Sequence, residues 1–160
     1  MKRVLTIGAA ALMVVALAGS AAAQTVAMTA TLNGSNEAPS KIVTGAFGTA
    51  TVTYDPSTQN VSWVIDVFNM PSGINNAHFH TGGTDVAGPV TVNIAFPAQA
   101  SNDFRLTGSA GPAALIARPE QGVRSWEDFV QSLLGGQVYI NLHSNNNPGG
   151  EIRGQVIRQQ

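Results

Sequence analysis

AFGTATVTYDPSTQNVSWVIDVF, residues 46–68, is the stretch that decides the fold. Its two halves, AFGTATVTY (46–54) and VSWVIDVF (61–68), are rich in β-branched residues and flank DPSTQN, where Asp55-Pro56 opens a turn. In the second half Val61, Trp63, Ile65 and Val67 recur at a period of two, which puts them on one face of a strand. That face belongs to a core. The stretch reads as a hairpin.

The pattern continues on both sides. Turn signals recur about every ten residues, the spacing of a sandwich or barrel. Upstream, TVAMTATL (25–32) is a first strand ended by the loop NGSNEAPS. Downstream, NAHFH (76–80) follows the turn MPSG, and a glycine-rich loop leads into PVTVNIAF (89–96), where Val90, Val92, Ile94 and Phe96 share a face. Residues 97–124 carry scattered Gly and Pro and no sustained period. SWEDFVQSLLGG (125–136) is a helix: Ser125 caps it, Asp128 completes a capping-box-like pair, and Gly135 stops it. Phe129, Leu133 and Trp126 supply its packing face. QVYINLH (137–143) and EIRGQVI (151–157) form a closing hairpin around SNNNPGG. The expectation is an all-β sandwich with one short helix near 125–134.

The N-terminus reads as something other than fold. MKR, an apolar run (VLTIGAAALMVVALAG) and the small residues Ala21 and Ala23 describe a secretory signal peptide, residues 1–23, with cleavage after Ala23. That leaves residues 24–160 as a single domain, secreted or periplasmic, with no transmembrane anchor. Once Lys2 and Arg3 are gone, the nine acidic residues outnumber the basic ones, which argues against nucleic acid as a partner. The chain has no cysteine, so thiol chemistry and thiolate ligands are excluded. Any metal would be held by imidazole, carboxylate or backbone oxygen.

The chain has three histidines, and two of them, His78 and His80, lie one residue apart. Residues two apart on a strand point the same way, with Cα atoms about 6.5–7 Å apart. Two such imidazoles can converge on one ion at about 2.0 Å from each nitrogen. Phe79, between them, points to the other face. In the last hairpin Val138, Ile140 and Leu142 form the apolar set, so His143 sits with Tyr139 and Asn141 on the opposite side. All three histidines therefore face away from the core, on surfaces that water can reach. Asp85 and Glu151 are candidate extra ligands or hydrogen-bond partners of ligands. The plainer alternative stays open: the histidines brace the loop 81–88, Asp85 is a solvated loop carboxylate, and Glu151 and Arg153 form a surface ion pair. No GxSxG, HExxH or phosphate-loop motif is present.

AHFHTGGTDVAGPVTVNI, followed at a distance by LLGGQVYINLHSNNNPGGEIRGQV, resembles the CHRD domain, named from chordin and present in many secreted bacterial proteins. The matching positions are Ala77, His78, His80, Gly88, Pro89 and Val90, then His143 and the run Pro148, Gly149, Gly150, Glu151, Ile152, Arg153 and Gly154. Thr81 departs from the pattern, where glycine often stands. The resemblance implies an immunoglobulin-like Greek-key β-sandwich, distantly similar to copper/zinc superoxide dismutases. Carried over residue by residue, that similarity makes His78, His80 and His143 candidate copper ligands, copper before zinc, and Arg153 a candidate anion-guiding arginine. No histidine lies between residues 80 and 143 to bridge a second metal. The expected function is thus a binding module for an unidentified protein or small ion, without catalysis. The alternatives are a copper-dependent redox protein and a structural module without metal.

Overall fold

The computed structural model describes residues 24–98 and 100–159. The expected signal peptide lies outside the described residues. Strands run in the order β1 (Val26–Asn33), β2 (Phe47–Asp55), β3 (Asn60–Met70), β4 (Ile74–Thr81), β5 (Val90–Asn93) and β6 (Asn102–Ala110). Helix α1 (Trp126–Leu134) follows, then β7 (Val138–Ser144), β8 (Ile152–Gln155) and β9 (Ile157–Arg158).

The opening hairpin forms as its alternation requires. β2 and β3 pair antiparallel from Phe47 opposite Phe68 to Asp55 opposite Asn60. Asp55 Oδ1 accepts from both the backbone N–H and the hydroxyl of Ser57, which closes the turn. Val61, Trp63, Ile65 and Val67 are all buried.

One antiparallel sheet runs β5-β4-β7-β8-β1-β2-β3-β6, with β9 paired to β1. It folds over on itself, because β3 and β4 are not sheet neighbours and yet Trp63 packs edge-on against Phe79, ring centroids 5.2 Å apart. The result is a sandwich that nearly closes as a barrel. A groove between residues 95–97 and 105–107 marks the remaining gap. The all-β class with one short helix is the class that the sequence predicts.

Helix α1 carries the expected capping box: Asp128 N–H donates to Ser125 Oγ at 3.2 Å, and Ser125 N–H to Asp128 Oδ2 at 3.1 Å. Trp126, Phe129, Val130 and Leu133 are its buried residues. The Trp126 indole donates to Gln59 O at 2.8 Å, tying the helix to the β2–β3 turn.

Three details differ from the sequence reading. β5 ends at Asn93 instead of reaching Phe96. Its register against β4 slips between Phe79 and His80, and Thr91 is the extra residue. The last strand breaks at Val156 into β8 and β9. The unreadable segment holds β6, a nine-residue strand that pairs with β3 along most of its length.

Candidate metal centre

β4, β7 and β8 lie side by side, and their apolar residues Ala77, Phe79, Val138, Ile140, Leu142 and Ile152 are buried in the core. The alternate residues project from the other face of the sheet. Register aligns them in rows across the strands: His78, Asn141, Arg153 in one, and His80, Tyr139, Gln155 in the next. His143 stands opposite Asn76.

The three histidines meet there. One ring nitrogen from each of His78, His80 and His143 lies within 4.8 Å of the other two. His78 Nδ1 and His143 Nε2 are 3.3 Å apart. Two nitrogens bound tetrahedrally to one ion at about 2.0–2.1 Å would be separated by about the same distance.

The backbone decides which nitrogens are bare. His80 Nδ1 lies 2.9 Å from Gly88 O, and His143 Nδ1 lies 3.0 Å from Pro148 O. A carbonyl oxygen only accepts, so both Nδ1 atoms carry the proton and both Nε2 atoms keep a lone pair. His80 Nε2 is buried and has no hydrogen-bond partner. A carbonyl-anchored imidazole with its other nitrogen free is the usual arrangement of a metal-ligating histidine. Gly88 holds its place because a Cβ there would come 1.9 Å from Thr81 O. Tyr139 stacks on His80, ring centroids 4.8 Å apart, and its hydroxyl accepts from Gly88 N–H at 3.0 Å.

His80 and His143 are buried and His78 is half-buried. The water-reachable surface expected from the strand pattern is therefore covered by loops. Burial is the main reason that His78 and His80 are pushed down to about 4; nearby positive charge adds to it, from His143 at His78 and from the other two histidines and Arg153 at His80. Burial also lowers His143, against the pull of Pro148 O. All three are neutral at pH 7, the state in which imidazole binds a metal. Three neutral imidazoles, two with fixed bare nitrogens, fit copper or zinc.

The family model described as CHRD domain matches residues 28–156. The chain belongs to the CHRD family. No curated protein matches it, and no solved structure does. CHRD domains are modules of extracellular type, and among the described residues no helix is long and apolar enough to cross a membrane.

The remaining sequence candidates of this CHRD domain fall outside the histidine cluster. Asp85 is exposed and pairs loosely with Lys41 at 3.7 Å. Glu151 and Arg153 are both buried and form no ion pair with each other, so the surface pair considered above does not occur. Glu151 accepts from Ser144 Oγ and Asn147 Nδ2, both at 2.6 Å, and so pins the β7–β8 turn that carries Pro148. Arg153 lies 3.4 Å over the Tyr139 ring and donates to Gly83 O at 2.6 Å.

One residue of the site escaped the sequence reading. Glu37 is 3% exposed and accepts from Asn141 Nδ2 at 3.2 Å, while its Oε1 has no partner. Burial raises its carboxyl to about 7, despite the Asn141 hydrogen bond and the nearby Arg153. The only signal in the sequence is a lone acid in the otherwise uncharged loop NGSNEAPS.

Proposed function

We propose that this CHRD domain is a secreted or periplasmic metal-binding module whose His78, His80 and His143 hold one copper ion. Two observations carry the reading: one ring nitrogen of each of His78, His80 and His143 lies within 4.8 Å of the other two, and His80 Nε2 is buried without a hydrogen-bond partner. An unpaired buried nitrogen is costly, and a metal ion would satisfy it. The donor set is all imidazole, which suits copper and zinc, and divalent copper binds nitrogen sites more tightly than zinc.

The residues divide the work. Gly88 O and Pro148 O orient two imidazoles, Tyr139 keeps His80 flat against it, and burial holds all three histidines neutral. Bound copper would supply a Lewis-acidic and redox-active centre. His78, the half-buried member, lies on the side nearest solvent.

Calorimetric titration of the purified protein with copper, and separately with zinc, tests the reading. The expected result is one copper per chain, lost in His78→Ala, His80→Ala, with zinc binding more weakly. Absence of copper binding, or binding that the double variant retains, overturns it. A superoxide-consumption assay on the loaded protein then separates a redox role from binding alone.

A further inference from the structure

No aspartate or glutamate belongs to the cluster of His78, His80 and His143. The carboxylates on the neighbouring strands and loops are committed elsewhere. Glu37 accepts from Asn141, Glu151 accepts from Ser144 and Asn147, and Asp85 pairs with Lys41. Three neutral imidazoles cancel none of an ion's charge. Divalent copper or zinc would keep two units there, and monovalent copper one.

That charge would sit where water is scarce. His80 and His143 are each 8% exposed, and His78 is half-buried. The cost of desolvating an ion grows with the square of its charge, so a divalent ion costs about four times as much as a monovalent one. The fixed charge behind the cluster is positive as well. Arg153 lies 3.4 Å over the Tyr139 ring, and Tyr139 stacks on His80 with ring centroids 4.8 Å apart. Glu37 and Asp85 offset part of the guanidinium charge, which still acts on His80. What remains repels a divalent ion more than a monovalent one.

The spacing of the rings points the same way. His78 Nδ1 and His143 Nε2 are 3.3 Å apart. With bonds of about 2.0 Å, that separation corresponds to an angle of about 110° at the ion. Divalent copper prefers square-planar or tetragonal sites, whose neighbouring nitrogens would lie about 2.8 Å apart. An ion with a filled d shell, monovalent copper or zinc, has no such preference. Angle therefore disfavours divalent copper, and charge disfavours zinc. Monovalent copper meets neither objection.

We infer that the three-histidine centre selects monovalent copper over both divalent copper and zinc. The inference rests on the metal reading above and narrows it to one charge state.

Competition titrations of the purified protein test it. Monovalent copper is titrated against bicinchoninate with oxygen excluded; divalent copper and zinc are titrated separately against nitrilotriacetate. We expect monovalent copper to bind about 100-fold more tightly than either divalent ion, and to be lost in His78→Ala, His80→Ala. On an electrode, the copper-loaded protein should then show a potential about 120 mV above that of aqueous copper, at about 59 mV per tenfold. Divalent copper or zinc that binds as tightly as monovalent copper overturns the inference and leaves the three-histidine metal site standing. Monovalent binding that the double variant retains also overturns it, because the ion then sits elsewhere. A protein that binds none of the three ions overturns both the inference and the reading beneath it.

Discussion

His78 and His143 meet nitrogen to nitrogen, Nδ1 to Nε2, at 3.3 Å. His143 Nδ1 donates to Pro148 O, so its Nε2 can only accept. In the metal-free protein the proton between the rings therefore sits on His78 Nδ1. A metal bound by both nitrogens must expel it.

The tautomer of His78 consequently reports on the site. Long-range ¹⁵N–¹H spectra at pH 7 should show His78 protonated on Nδ1 without metal and on Nε2 with diamagnetic zinc bound. His80 and His143 keep their Nδ1 protons throughout. A His78 already protonated on Nε2 before metal is added would contradict the 3.3 Å contact as a hydrogen bond.

Gly88 ties the loop to the ligand. In Gly88→Ala the new Cβ must displace Thr81 O, and the carbonyl leaves His80 Nδ1. Copper affinity should fall by about 10–100-fold, the usual cost of losing a partner that orients a ligand. Unfolding should become easier by about 1–3 kcal/mol. Gly45→Ala, where a Cβ meets nothing within 4 Å, is the control and should change neither. Denaturant titration and calorimetry measure both quantities.

Glu37 sets a pH trend of its own. Its folded-state value near 7 lies above the ordinary 4.5, so the folded chain holds the proton more tightly. Stability from this group is present below about pH 4.5 and is lost as pH rises through 7. Glu37→Gln carries no such titration. Its melting temperature relative to wild type should therefore increase between pH 5 and pH 8. A difference that is flat across this range would show that Glu37 titrates normally.

The histidines act in the opposite direction. His80, lowered from 6.5 to about 4, contributes stability that is present above pH 6.5 and lost as pH falls toward 4. For His80 the contribution is on the order of 3 kcal/mol. The metal-free protein should unfold more readily at pH 4 than at pH 6.5, and a His80→Gln variant should lose much of that dependence. Urea titrations at the two pH values decide it.

The parity of side chains on strands was legible in the residues themselves. Phe79 flanked by two histidines, and His143 out of step with Val138, Ile140 and Leu142, placed all three imidazoles on the correct face. Their burial was not legible, because it comes from loops, and nothing in residues 82–88 announces that Gly88 folds back onto His80 and Tyr139. β6 was missed for a related reason. As an edge strand it has few buried positions, and one of its inward sites is Gly108, where a Cβ would come 2.6 Å from the Trp63 ring. Glycine erased the apolar alternation at the point where the indole needed the space. Glu37 was hidden in the same way as the loops, since its role depends on packing against Asn141 and Gly150, far away in the chain.

β4 and β7 are neighbours in the sheet although β5, β6 and α1 intervene between them in the chain. His78 and His143 thus come together only after a long-range strand pairing, the kind of contact that forms slowly because the loop must close first. A nascent or unfolded chain has no assembled three-histidine site. Copper would find all three ligands together only in the native state, and would stabilise that state by an amount that grows with its affinity, less whatever the histidines of the unfolded chain bind.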